Sequence, residues 1–182
     1  MRFICKKYGA LALCTATLAA PIGANAADSL SLEIGSGNKT QKASFGVQWN
    51  WSKRWWDSNG THIGGYWDLN IAYWHGNRFQ DISNRSQNIG EAGITPVFRF
   101  QSNMLKGPYV EIGVGVHVLS DRYDNNGRQL STKFQFGDHL GIGYVFENKW
   151  ELGVKLQHFS NASMKQPNDG VNFAIIKLSS PI

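Results

Sequence analysis

Val110, Ile112, Val114, Val116 and Val118 alternate with Glu111, Gly113, Gly115 and His117. Successive side chains of a strand point to opposite faces, so this segment predicts a strand with one wholly aliphatic face and one small or polar face. A helix would scatter the same aliphatic residues around its circumference. Seven further segments keep the two-residue period. Their apolar phases run Leu30, Leu32, Ile34; Phe45, Val47, Trp49, Trp51; Trp67, Leu69, Ile71, Tyr73; Ile94, Pro96, Phe98, Phe100; Phe134, Phe136, Leu140, Ile142, Tyr144, Phe146; Trp150, Leu152, Val154, Leu156; and Asn172, Ala174, Ile176, Leu178. Pro96 lacks a ladder donor and predicts an irregularity in its strand. Asp138 interrupts the phase of the sixth segment, at a headgroup boundary or a bulge.

Strands with a single apolar face close into a barrel in one of two senses. With that face inward the product is a soluble, lipocalin-like barrel; with it outward, a membrane barrel with a polar lumen. The start of the chain, the lack of cysteines after it and the aromatic-rich apolar faces favour the second, with the soluble barrel kept as the alternative. Arg2, Lys6 and Lys7 precede an apolar run over 10–20 and the tripeptide Ala24-Asn25-Ala26, the three parts of a secretory signal peptide. Residues 1–26 are therefore expected to be removed, leaving 27–182 as one barrel domain. Both cysteines, Cys5 and Cys14, fall in the removed segment, so no disulfide staples the exported chain. The signal also takes three cations, reducing 18 basic residues to 15 against 13 acidic ones. That balance gives no footprint for nucleic acid, although loop cations suit anionic lipid headgroups.

These features predict an all-β, eight-stranded antiparallel transmembrane β-barrel of the outer membrane, with both termini in the periplasm. Outer loops are expected near Gly37, Asp81, Asp124 and Met164, and inner turns over 53–60, 103–107 and 147–149. The 7 Trp, 6 Tyr and 10 Phe suit aromatic girdles. Trp49, Trp51, Trp55, Trp56 and Trp150 are assigned to the periplasmic rim, and Tyr73, Trp74 and Tyr123 to the outer one. Asp68, Asn70, Glu111, Glu151, Lys155 and Gln157 are expected to build an internal polar network, with His117 and His139 hydrogen-bonded inside.

The apolar phase of the seventh strand continues from Leu156 into His158 and Ser160. Two reactive side chains thus stand on the lipid-facing side, close to the outer headgroups. If Ser160 lies opposite Gly170 in the last hairpin, His158 faces Asn172, at the Cβ separation of about 4.5–5.5 Å that permits a side-chain hydrogen bond. Nucleophile, base and orienting group then stand in one row, as in serine hydrolases, with Asn161 supplying donors for an oxyanion. The spacing alone leaves open that His158 and Ser160 merely meet water.

The segment His158-Phe159-Ser160-Asn161-Ala162, followed by Pro167-Asn168-x-Gly170, resembles the PagL family of lipid A 3-O-deacylases. The resemblance implies an eight-stranded outer-membrane enzyme that hydrolyses the ester-linked acyl chain at position 3 of lipid A, with His158 as base and Ser160 as nucleophile. It implies lipid A, within lipopolysaccharide, as the substrate partner and no cofactor; a homodimer is left open. The best-known members of that family place a glutamate, which orients the histidine, where this chain has Asn172. An amide fixes the imidazole tautomer but does not balance an imidazolium charge, so Asp169, the nearest carboxylate in sequence, is an alternative. No metal is expected, since His62, His75, His117 and His139 lack ligand spacing. The rival readings are a non-enzymatic barrel for adhesion, anchoring or conduction, and an outer-membrane phospholipase or acyltransferase.

Overall fold

A computed structural model describes residues 26–182. The expected signal peptide, with its two cysteines, lies outside the described residues apart from Ala26. The strands are β1 (Ser29–Gly37), β2 (Thr40–Asn50), β3 (Trp55–Ser58), β4 (Thr61–Gly76), β5 (Gln87–Ser102), β6 (Gly107–Leu119), β7 (Asp124–Asn125), β8 (Arg128–Gln129), β9 (Phe134–Val145), β10 (Glu151–Ser160) and β11 (Val171–Pro181). Antiparallel pairing runs β2-β1-β11-β10-β9-β6-β5-β4, and β2 pairs with β4 to close the ring. Eight long strands therefore form a barrel without open edges, and the eight alternating segments of the sequence are those strands. The short β3 extends the inner turn before β4, while β7 and β8 form a hairpin within an outer loop. The first outer connection is only the pair Asn38-Lys39, both at positive φ, which makes the tight hairpin turn favoured by twisted strands.

The aliphatic phase points outward. Val114 is 56% exposed, Leu156 67% and Ile34 64%, while Glu33, Lys42, Glu91, Arg99, Glu111 and Lys177 are buried in the lumen. A soluble barrel would reverse this arrangement, so the lipocalin-like alternative is excluded. Pro96 behaves as predicted: the β5–β6 ladder passes from Ile94↔Val116 to Val97↔Gly113 and omits Thr95 and Pro96. Asp138 marks no bulge, because the β9–β10 register is continuous through it.

The interior has two regions. In one, ions from different strands pair within the lumen: Arg99 with Glu111, opposite it on the adjacent strand, and with Glu151, Lys155 with Glu33, and Lys42 with Glu91. Asp68 accepts from Gln48, Asn70 donates to Glu91, and Gln157 accepts from Lys42, so the expected polar network is present. His117 joins it through Glu91 at 2.7 Å. His139 does not: both of its ring nitrogens are buried without a protein hydrogen-bond partner, although Gln157 lies opposite it on β10.

The other region is apolar and lies under the outer rim. Trp74, Tyr123, Phe159, Phe173, Leu130, Ile89 and Val171 pack together there, with Trp74 fully buried and Tyr123 at 1% exposure. This corrects the outer girdle, in which only Tyr73 faces outward, at 52%. Tyr73 and Trp74 are adjacent on a strand and must face opposite sides. The periplasmic girdle stands, with Trp56 81% and Trp150 43% exposed and Trp51 stacked edge-on against Trp55, Trp67 and Phe98.

Phe159 ties this cluster to the outer surface, because it sits between His158 and Ser160 and points inward. Its ring lies 4.8 Å from that of Trp74, with the Lys42 ammonium 4.5 Å from its centroid. Phe159→Ala should therefore open a cavity beneath the outer end of β10, of the kind that costs about 3–5 kcal/mol in well-packed cores. The expected result is a lower unfolding midpoint in urea with refolding lipid, together with weakened activity. A wild-type midpoint would show that the cluster does not hold the strand.

Candidate active site

β10 and β11 meet in the predicted register, with His158 opposite Asn172 and Phe159 opposite Val171. The period-two alternation then turns His158, Ser160 and Asn172 to the exterior and Phe159 inward. The His158 Nδ1–H donates to Asn172 Oδ1 at 2.6 Å. This bond fixes the proton on Nδ1 and leaves the Nε2 lone pair free to accept a proton. Ser160 is half-buried, between Phe136 on β9 and the start of β11, and its hydroxyl has no protein partner among the described residues. Serine and histidine are not hydrogen-bonded to one another here, as is common in sites that tighten only around substrate.

Gly170 sets the ring's position. Its φ is +68°, and a Cβ built there would lie 2.5 Å from His158 Cε1 and 3.2 Å from Nε2. The imidazole therefore lies over the glycine backbone, with Nδ1 held at Asn172 and the Cε1–Nε2 edge nearest the glycine. Only a residue without a side chain permits that approach.

The loop over 161–170 is held by its own polar groups. Asn161 is fully buried; its backbone N–H donates to Asn168 Oδ1 at 3.0 Å, and its side-chain amide donates to Ser131 Oγ and the Lys165 carbonyl. The donors that Asn161 was expected to offer an oxyanion are thus engaged within the loop, the N–H by Asn168 and the amide by Ser131 and Lys165. Asn168, anchored through Oδ1 beside the residue that follows Ser160, keeps an Nδ2 with no protein acceptor among the described residues. Asp169 Oδ2 accepts from the Gln129 backbone N–H at 2.7 Å, and the Asp169 carbonyl accepts from Arg128. Its carboxylate thus fastens the loop to β8, and of the two candidates Asn172 is the one that meets His158.

Below these residues an exterior groove descends the wall. Leu156, Leu140, Ile112, Val114 and Ala174 line it, and Asp138, His158 and Asn172 stand at its upper end. Among the described residues no cluster of three or more potential metal ligands occurs.

The sequence over residues 41–181 matches the family model for lipid A 3-O-deacylase (PagL). The chain belongs to that family. It is 31% identical to the lipid A deacylase PagL of Pseudomonas aeruginosa, over 91% of this chain and 93% of that one. The lipid A deacylase PagL of Bordetella bronchiseptica is 29% identical over 79% of this chain and 77% of its own length. The crystal structure of the outer membrane enzyme PagL superposes with a TM-score of 0.74 at 29% identity, covering 85% of this chain and 99% of that one. This PagL-family barrel is accordingly an outer-membrane protein. Three of its residues were not singled out for the site by the sequence. Gly170 and Asn168 had a signal in the Pro167-Asn168-x-Gly170 segment, and Asp138 had one as a carboxylate on an apolar phase.

Proposed function

We propose that this barrel is a hydrolase that removes the ester-linked 3-hydroxyacyl chain from position 3 of lipid A. The observation that carries the reading is the outward His158–Asn172 pair beside Ser160, at the head of an apolar groove. Ser160 Oγ attacks the ester carbonyl as its proton passes to His158 Nε2. The tetrahedral oxyanion is met by the Asn168 side-chain amide, the donor left available beside the nucleophile. Collapse breaks the bond between carbonyl carbon and sugar oxygen, and His158 returns the proton to that oxygen. Water, deprotonated by the same base, then cleaves the acyl-serine and releases a 3-hydroxy fatty acid.

The placement suits a substrate that never leaves the bilayer. The acyl tail follows Ala174, Leu156 and Leu140 down the wall in the hydrocarbon region, the ester lies level with Ser160, and the phosphorylated sugar sits among the outer loops. Lys165, exposed above the site, has an ammonium with no partner among the described residues and suits a substrate phosphate.

Mass spectrometry of lipid A from cells with and without the protein tests the reading. Loss of one 3-hydroxyacyl chain, with the chain recovered as free acid, is expected. Recovery of that chain on another lipid would select an acyltransferase, attack on glycerophospholipids a phospholipase, and unchanged lipids a non-enzymatic barrel. Within the same assay Asn172→Ala should lower activity severely by releasing the ring, and Asp169→Asn should matter little. The reverse order would mean that the loop carboxylate orients the base.

A further inference from the structure

We infer that Asp138 is the carboxylate that stabilises the protonated His158, acting from β9, on the side of the ring opposite Asn172. The inference rests on the Ser160–His158 reading above. In the β9–β10 register Asp138 lies directly opposite His158, and both belong to the outward phase. Directly opposed residues on one face of an antiparallel pair have Cβ atoms about 4.5–5.5 Å apart. His158 therefore stands between a neutral amide on β11 and a carboxylate on β9, in one row across three strands.

Asp138 is the only carboxylate among the described residues on the outward phase of the eight barrel strands. Its other neighbours on that face are Val114 on β6 and, along its own strand, Phe136 and Leu140. It makes no hydrogen bond or ion pair with a protein group among the described residues. An acid on the lipid face of a barrel costs free energy that increases with depth. Nothing in the packing of the wall requires it, and the one polar side chain it faces is the proposed base.

Asn172 explains the need. By accepting from Nδ1–H it holds the tautomer, but it carries no charge when His158 takes the proton from Ser160. A negative charge one strand away lowers the energy of that imidazolium, and at a headgroup boundary screening is weaker than in water. Two separate residues thus share what one carboxylate at position 172 would do: Asn172 orients, and Asp138 compensates charge. Asp169 is bound to the Gln129 backbone, Gly170 presents only backbone to the ring, and no cation faces the ring from β9, β10 or β11; the Arg128 guanidinium on β8 comes to the β11 end of the same hairpin loop, where it donates to the Asp169 and Gly170 carbonyls. Asp138 is a positioning residue in the electrostatic sense, since it acts through His158 and touches no reacting atom.

The test uses the full mature barrel refolded in detergent, with its heat-modifiable gel migration checked for every variant. Turnover of lipid A and the rate of Ser160 labelling by a fluorophosphonate are both measured against pH. Asp138→Asn should lower kcat about 10- to 100-fold with little change in KM, the size expected when a nearby charge partner is lost. The acid limb of kcat/KM should also move to lower pH, because a carboxylate beside an imidazole favours its protonated form and the amide does not. Asp138→Glu should retain most of the activity. In the Asp138→Asn background, Asn172→Glu should restore kcat and return the acid limb toward its original position. Wild-type kcat with an unmoved pH profile in Asp138→Asn would overturn the inference. So would equal losses in the Asn and Glu variants without rescue by Asn172→Glu, which would mark a purely structural role. If Asp138→Asn misfolds, Asp138→Ser is put to the same pH profile. Failure of the underlying reading is distinguishable, since Ser160→Ala would then remain active or escape no labelling, whatever Asp138 does.

Discussion

Ser160→Ala and His158→Asn should each abolish deacylation, by at least about 10³-fold, while leaving a folded barrel. When one member of a nucleophile and base unit is removed, the other has nothing to activate or to receive a proton from, so either loss costs nearly the whole chemical rate enhancement. Both side chains lie on the exterior and support no packed core; the inward residue between them, Phe159, carries the packing. The check is turnover of purified lipid A, with heat-modifiable migration and strand-dominated circular dichroism as controls on folding. Undiminished hydrolysis by either purified variant would remove the catalytic assignment, and loss of activity through misfolding would show in the controls.

Gly170→Ala should lose about 10²-fold in kcat/KM without unfolding the barrel. Two effects act together. A φ of +68° costs a non-glycine residue about 1 kcal/mol, and the added Cβ would stand 2.5 Å from His158 Cε1, a distance that the ring must relieve by moving. The ring is held at its other end by Asn172, so it has to tilt, and tilting carries Nε2 away from Ser160. Misplacement of about 1 Å is enough for a loss of this size. Gly127→Ala supplies the control: its φ is +70°, but nothing lies within 4 Å of the added methyl, so it should bear the backbone strain and keep its activity. Equal activity of the two variants would show that Gly170 serves only the turn.

Much of the molecule was legible because a barrel wall obeys a strict rule. Each strand crosses lipid on one side and a narrow lumen on the other, so the two-residue period in the segment from Val110 to Val118 fixed its conformation and which residues share a face, and the export signal pointed to the outward sense of the aliphatic face. The same rule put His158, Ser160 and Asn172 outside. Their pairing was legible too, since the last hairpin sets its register over few residues and His158↔Asn172 followed from it. The rule also held where it was not followed closely enough: Trp74 lies on the polar phase of β4, and its burial beside Phe159 and Phe173 is what that phase requires. Asp138 stood on the lipid phase in plain view, but its significance needed the β9 partner of His158.

The sequence by itself determined the strands, which residues share a face and the row holding the histidine and serine, because those depend on alternation and on short-range hairpin geometry. Only the tertiary structure decided what long-range packing controls. It closed β2 on β4, brought Tyr123 from a loop into the lumen, and spent the donors of Asn161 on Ser131 and Asn168. It fastened Asp169 to Gln129 and laid the His158 ring over Gly170. These contacts join residues far apart in the chain, or loops whose course no periodicity encodes, so no local pattern carries their partners.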